Sequence, residues 1–557
     1  MQKLETADYL VFFVYFVIVA VYGFWIYNRK KKSHPDSKDF FLAEGSLTWW
    51  AIGASLIASN ISAEQMIGMS GNGFKMGLAI SAYEWMAAAT LIVVAVFFLP
   101  IYLKNKIYTM PQFLRQRYNS TVSMIMAIFW LSLYIIVNLT SILFLGALAV
   151  STVSGINFTL CMIFLSAFAI IITIGGMKVI GYTDVIQVFF LVLGGLATTY
   201  LALNLVSEKF GSTGTMNGLN YLMSHASDHF DMIFEQSNPN YISLPGLTVL
   251  IGAMWVVNLN YWGCNQYITQ RALGANLPTA RSGLLFAAFL KLLMPVIVVL
   301  PGIAAYVLYN EGMFHQEMIS NGEMNPDRAY PVLLNLLPTG LKGLSFAALT
   351  AAVVASLAGK ANSISTIFTL DIYKNFINKE APEKTLVWMG RITVVVAMII
   401  AILIAPLMGI DKKGGFEFIQ EYTGFVSPGI FAMFLLGFFW KRTTASAAMF
   451  AIIGGFILSV VFKFLPGNVD LAFLQSSGFA AFNPASGIVE IPFLDRMGFV
   501  FIICVVVMIF ISLLTPKHLQ PRDTLNVDVS MFRTSTGFAV GALIIIVILA
   551  LLYGTFW

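Results

Sequence analysis

Ala58-Ser59-Asn60-Ile61-Ser62-Ala63-Glu64-Gln65 lies in the middle of an apolar run that extends from about residue 46 to 71. An unsatisfied polar group at that depth in hydrocarbon costs several kcal/mol, so these groups must face a cavity or a protein partner rather than lipid. A second interruption, Val257-Asn258-Leu259-Asn260-Tyr261-Trp262-Gly263-Cys264-Asn265-Gln266, falls in the run 245–270. The rest of the 557 residues supports a membrane setting, since 58% are hydrophobic and 11% charged, against ~25% charged in soluble chains. The apolar segments do not alternate as barrel strands would. An all-α polytopic membrane protein is therefore predicted.

Allowing about twenty apolar residues per span, the chain divides into about fourteen transmembrane helices, near 9–28, 46–71, 78–103, 122–151, 157–177, 183–206, 245–270, 282–309, 337–370, 386–409, 416–440, 443–465, 497–515 and 535–556. Arg29 to Lys32, Lys104, Lys106, Arg115, Arg117, Lys178, Arg271, Arg281, Lys374 to Lys384, Lys441, Arg442, Lys517 and Arg522 then fall on one side, which the positive-inside rule makes cytoplasmic. Lys412-Lys413 is the exception. Both termini are expected outside, with the connections 207–244, 310–336 and 466–496. The first apolar run is followed by positive charge and no small-residue cleavage site, so it reads as a retained helix.

The two interrupted segments are the second and the seventh, five helices apart, and so enter the membrane from opposite sides. Two inverted five-helix repeats, each opening with a broken helix, are the organisation of secondary transporters that bind substrate at the midplane. The division is then an extra N-terminal helix and cytoplasmic loop (1–45), a first repeat (46–206), an extracellular loop (207–244), a second repeat (245–440), and three peripheral helices with an extracellular loop (441–557). The net charge of +5, with no basic tract beyond Arg29-Lys30-Lys31-Lys32, gives no reason to expect nucleic acid as a partner. Cys161, Cys264 and Cys504 are dispersed in apolar segments and read as core packing. No GxxxxGK[ST], HExxH or TVGYG occurs, and no nucleophile–base pair or metal cluster appears, so an ATP-driven pump, an intramembrane protease, a potassium channel and an enzyme in general are disfavoured.

Ala54-Ser55-Leu56-Ile57 with the first interruption, Tyr83-Glu84-Trp85-Met86, Thr183-Asp184-Val185-Ile186-Gln187-Val188-Phe189-Phe190, Phe286 to Lys291, Asn362-Ser363 to Tyr373, and Ile419-Gln420-Glu421-Tyr422-Thr423-Gly424 to Pro428-Gly429 together resemble the sodium/solute symporter family. Within it they are most similar to the bacterial sodium/galactose and sodium/glucose cotransporters. The resemblance weakens before Asp39, in 310–330 and beyond about 465. It implies a LeuT-like core, alternating access in a plasma (inner) membrane, and a small neutral sugar carried with Na⁺. By matching position, Asn60, Gln65, Glu84, Asn258, Lys291 and Gln420 would hydrogen-bond sugar hydroxyls and Tyr261 would stack on the ring. Met69, Tyr83 and Phe416 would close the site from outside.

The residue types suit that chemistry independently: amides donate and accept, Glu accepts, Lys donates, and an aromatic face covers the C–H side of a pyranose. Glu84 and Lys291 sit deep in apolar spans, where charge is costly and marks either a binding site or a structural ion pair. The amides Asn60, Gln65, Asn258 and Gln420 have the alternative of bridging helices. A carboxylated substrate would call for an Arg in the membrane interior, whereas each Arg reads as lying in a loop or near a helix end.

The sequence departs from the family at three places. The family's sodium site maps onto the carbonyls of Ala58, Ile61 and Ala352 with Ser356, but its Ser-Ser pair reads Ala355-Ser356 here, so one hydroxyl is missing. Its following Ser-Met reads Gly359-Lys360, which puts an ammonium one turn from Ser356 on the same face. Lys360 is expected to replace the coupling cation, to pair with Asp184, or to snorkel to the cytoplasmic vestibule. Thirdly, Ala87 replaces a serine that contacts the sugar. The expected function is a sodium-coupled symporter of a neutral monosaccharide, with a sodium-independent facilitator or exchanger as the alternative. A non-transporting sugar sensor is a third reading, against which stands the lack of a soluble output domain.

Overall fold

A computed structural model describes residues 4–29, 40–41, 47–320, 322–407, 415–484, 486–516 and 525–557. Lys30 to Lys32, Lys412-Lys413, Lys517 and Arg522, used above for orientation, lie outside them. Helices dominate, and the strands among the described residues form two short hairpins, Ile319–Ser320 with Glu323–Met324 and Ala481–Asn483 with Ile488–Glu490.

Ten helices of the described residues are long and apolar enough to cross a membrane, eleven when Gly246–Gly263 and Gln266–Leu273, bent by 50°, count as one span. This is fewer than the about fourteen expected, for local reasons. Trp49–Asn60 stops after 12 residues at the first interruption. From Glu64 the chain runs as consecutive helical turns to Lys104, merging parts of two expected segments. Phe158–Ile174 and Ser427–Phe439 are apolar but short.

Both interruptions break their helices. Ile61 is extended (φ −83°, ψ 102°) between Trp49–Asn60 and the π-helical turn Glu64–Met69. In the second, Cys264 leaves the helical region, and the Asn265 side chain accepts from Tyr267 N at 3.1 Å to start the next helix. Gly77, at φ +73°, turns the chain after Ser70–Met76; a Cβ there would stand 2.5 Å from His229 Cα, so glycine is required both by conformation and by space.

The helix Trp49–Asn60 packs on Leu277–Asn310 through facing glycines. A Cβ on Gly53 would lie 2.7 Å from Gly283 O, an approach that only small residues permit. The same pair of helices carries Asn60 and Lys291, so this close crossing sets their separation. Large apolar side chains of Thr6–Arg29 (Phe13, Val21, Phe24) and Thr536–Thr555 (Leu543, Leu551) are exposed, which is the pattern of a lipid-facing surface.

Candidate functional site

A helix that stops inside the membrane leaves its last carbonyls without intrahelical partners and presents the negative end of its dipole. Trp49–Asn60 does this beside the helix Leu341–Thr366. Ile57 O still accepts from Ile61 N at 2.8 Å. The next two carbonyls are met by Ser356, whose hydroxyl lies 3.2 Å from Ala58 O and 3.1 Å from Ser59 O. Ser59 O also accepts from the Tyr267 hydroxyl. Ala58, Ile61, Ala352 and Ser356 are each buried. Oxygen-rich, with no nitrogen or sulfur ligand, the arrangement fits a hard cation such as Na⁺.

Beside it opens a cavity. Asn60, Gln65, Glu84, Asn258, Tyr261, Lys291 and Gln420 all line it, as do Tyr83, Phe416 and Ala87. Lys291 is 1% exposed and Glu84 2%; the Lys291 ammonium donates to Glu84 Oε2 and to Asn60 Oδ1. Asn60 Nδ2 in turn donates to the Tyr261 hydroxyl at 3.1 Å. Glu84, Lys291, Asn60 and Tyr261 thus form one hydrogen-bonded chain across four helices. The Tyr261 ring meets Trp262 edge-on at 5.2 Å, and Lys291 Nζ lies 5.2 Å from the Trp262 ring. Gln65 and Asn258 bond mainly to their own segments, through Ser62 N and Met254 O, which leaves donor and acceptor capacity for a ligand.

At one end of the cavity the Tyr83 and Phe416 rings touch edge to face at 5.0 Å, and Lys75 pairs with Glu417 at 3.3 Å. Met69 does not join them. It is fully buried at the end of the π turn and does not line the cavity.

Two further expectations are corrected. Lys360 does not pair with Asp184, nor does it reach open solvent: it is 4% exposed, lines the same cavity and donates to Asn138 Oδ1 at 3.1 Å. Asp184 accepts instead from Ser55 at 2.5 Å, and Arg271 Nε donates to that same Ser55 hydroxyl at 2.9 Å. Arg271, although near a helix end, is not at the cytoplasmic surface but wholly buried. It does not line the cavity.

Sequence reasoning passed over Asn138 and Tyr267, and it placed Glu64, Asn260 and Asn265 within the interruptions without giving them a site role; all five are on the cavity wall. Asn138, a lone amide inside the apolar run 122–151, carried a usable signal, as did Asn260 and Asn265 within the second interruption.

Residues 40–455 match the sodium:solute symporter family. The sodium/glucose cotransporter of Vibrio parahaemolyticus is 46% identical, with 100% of this chain and 99% of that protein covered. The human sodium/myo-inositol cotransporter 2 is 34% identical over 83% of this chain and 70% of its own length, and the mouse sodium/glucose cotransporter 1 is 31% identical over 92% and 79%. Among solved structures, that of a substrate-bound, outward-open Na⁺-coupled sialic acid symporter shares the fold, with a TM-score of 0.75 and 20% identity over 93% of this chain and 99% of its own. This polytopic membrane protein is a transporter rather than an enzyme, and it belongs to the sodium:solute symporter family.

Proposed function

We propose that the chain is a sodium-coupled symporter of a neutral monosaccharide, galactose- or glucose-like, working by alternating access. In this reading fourteen helices span a plasma (inner) membrane with both termini outside, and residues 46–206 and 245–440 form two inverted five-helix repeats of a LeuT-like core. Na⁺ at Ala58, Ile61, Ala352 and Ser356 bridges the broken helix and Leu341–Thr366 and so favours the outward-open state. Sugar and Na⁺ together then permit closure. Asn60, Gln65, Glu84, Asn258, Lys291 and Gln420 bond the hydroxyls, Tyr261 stacks on the ring, and Tyr83 and Phe416 close the outer side.

The observation that carries this is the Glu84–Lys291–Asn60–Tyr261 chain. Its two charges neutralise each other, so this part of the wall offers directional donors and acceptors without a net charge of its own. Labelled glucose uptake into proteoliposomes, competed by galactose, myo-inositol and sialic acid, tests it. Competition by the neutral compounds and none by sialic acid is expected. Competition by sialic acid alone would refute the neutral-sugar reading.

Lys360 favours a second reading, a sodium-independent facilitator or exchanger in which the lysine replaces the coupling cation. Its ammonium is buried on the wall of the same cavity, with Asn138 as its bonded acceptor.

A further inference from the structure

Na⁺ must recover in the protein the several oxygens it leaves in water, and Ala355 withholds one of the expected hydroxyls. Another hydroxyl stands at the place. Tyr267, from the helix Gln266–Leu273 just after the second break, donates to Ser59 O, the same carbonyl that accepts from Ser356, and faces the Ser356 hydroxyl. We propose that the Tyr267 phenolic oxygen is a cation ligand of this chain, supplying the coordination that Ala355 lacks. This rests on the sodium-coupled reading and names a ligand that it did not include.

The three oxygens Ala58 O, Ser59 O and Ser356 Oγ are already grouped, and a hydroxyl that gives its proton to Ser59 O keeps lone pairs for a cation. The neighbouring departures fit around this tyrosine. A Cβ on Gly359 would lie 2.4 Å from Arg271 Nη2, 2.9 Å from Tyr267 Cε2 and 3.3 Å from Ser59 Oγ, so the family's serine at this position would crowd both the guanidinium and the ring. A glycine inside a helix costs about 1 kcal/mol relative to alanine, and here it leaves the space in which the ring lies. Lys360 Nζ is 3.8 Å from the same ring centroid and the Arg271 guanidinium carbon 5.1 Å. The two basic groups against the ring are faced in turn by Glu64 and Asp184, so the tyrosine sits within a mixed-charge cluster.

The test is ²²Na⁺ binding to the purified full-length protein in nanodiscs, for wild type, Tyr267→Phe, Ala355→Ser and the double variant, each also in a Lys360→Met background. Thermal unfolding without sodium serves as the folding control. Tyr267→Phe should weaken binding about tenfold or more, and Ala355→Ser should restore it in the double variant, because a hydroxyl has returned to the same site. Unchanged binding in Tyr267→Phe overturns the proposal. So does a loss that Ala355→Ser does not repair, which makes the tyrosine a prop for Ser59 only. Absence of ²²Na⁺ binding in both the wild-type and Lys360→Met backgrounds overturns the sodium-coupled reading together with this one.

Discussion

Lys360 lies on the face of Tyr267, its ammonium 3.8 Å from the ring centroid. The tyrosine hydroxyl at the other end of that ring is bonded to Ser59 O beside Ser356. The Lys360 amine is therefore held against the ring whose hydroxyl meets the oxygens that would receive Na⁺. A protonated amine there would repel a second cation bound nearby, even at an effective dielectric of about 20.

Lys360→Met removes that repulsion. The sodium concentration for half-maximal sugar uptake is expected to fall by about tenfold or more, while Lys360→Arg leaves it near the wild-type value. An unchanged sodium dependence in Lys360→Met would show that the ammonium is a bystander.

The buried Lys291–Glu84 pair predicts an asymmetric outcome. Either Glu84→Gln or Lys291→Met alone leaves an uncompensated buried charge and costs ~3–5 kcal/mol of stability, seen as a lower unfolding temperature in detergent. The double substitution should recover most of that stability without recovering sugar binding. If the double variant bound sugar like the wild type, the pair would be structural only.

Ala87 lines the cavity close to Glu84 in sequence. Ala87→Ser adds one hydroxyl that a sugar hydroxyl can meet, worth about 1 kcal/mol. Competition assays should register a roughly fivefold shift in the ratio of galactose to glucose affinity. Equal changes for both epimers would place the new hydroxyl out of reach of the distinguishing position.

Much of this site was legible because polar residues in an apolar run have few explanations. The breaks after Asn60 and at Cys264 followed from that alone, and the amides, Glu84 and Lys291 do line one cavity. Met69 was not separable from core, since a methionine at helical spacing carries no polar signal, and it is core-packed away from the wall. Arg271 was misread because a position near a helix end looks the same whether that end reaches solvent or, as here, stops inside the protein beside Ser55. Tyr267 gave no sign of its own. Its place in the proposal appears only when Gly359 and Lys360, separate departures in sequence, are seen to lie against one ring. Fewer than fourteen helices are individually long and apolar enough to span because a break or an early stop, as at Asn60, shortens the uninterrupted run.

Asp8 of the first helix is fully buried and accepts from Gly340 N at 2.7 Å and Gly343 N at 2.9 Å, capping the helix that carries Ser356. A carboxylate at a helix N-terminus satisfies orphan donors and complements the dipole. Asp8→Ala should therefore cost ~1–2 kcal/mol, measured as a lower unfolding temperature, with affinity for sugar retained. An unaltered unfolding temperature would show that the first helix is held by lipid and apolar contacts alone.

The most direct measurement is uptake of labelled glucose and galactose into proteoliposomes under an inward Na⁺ gradient, against identical vesicles with choline in place of Na⁺. Accumulation above equilibrium with Na⁺, and its loss with choline, is the predicted result. Equal, non-concentrative uptake in both would contradict sodium coupling and make the protein a facilitator with Lys360 as its resident cation.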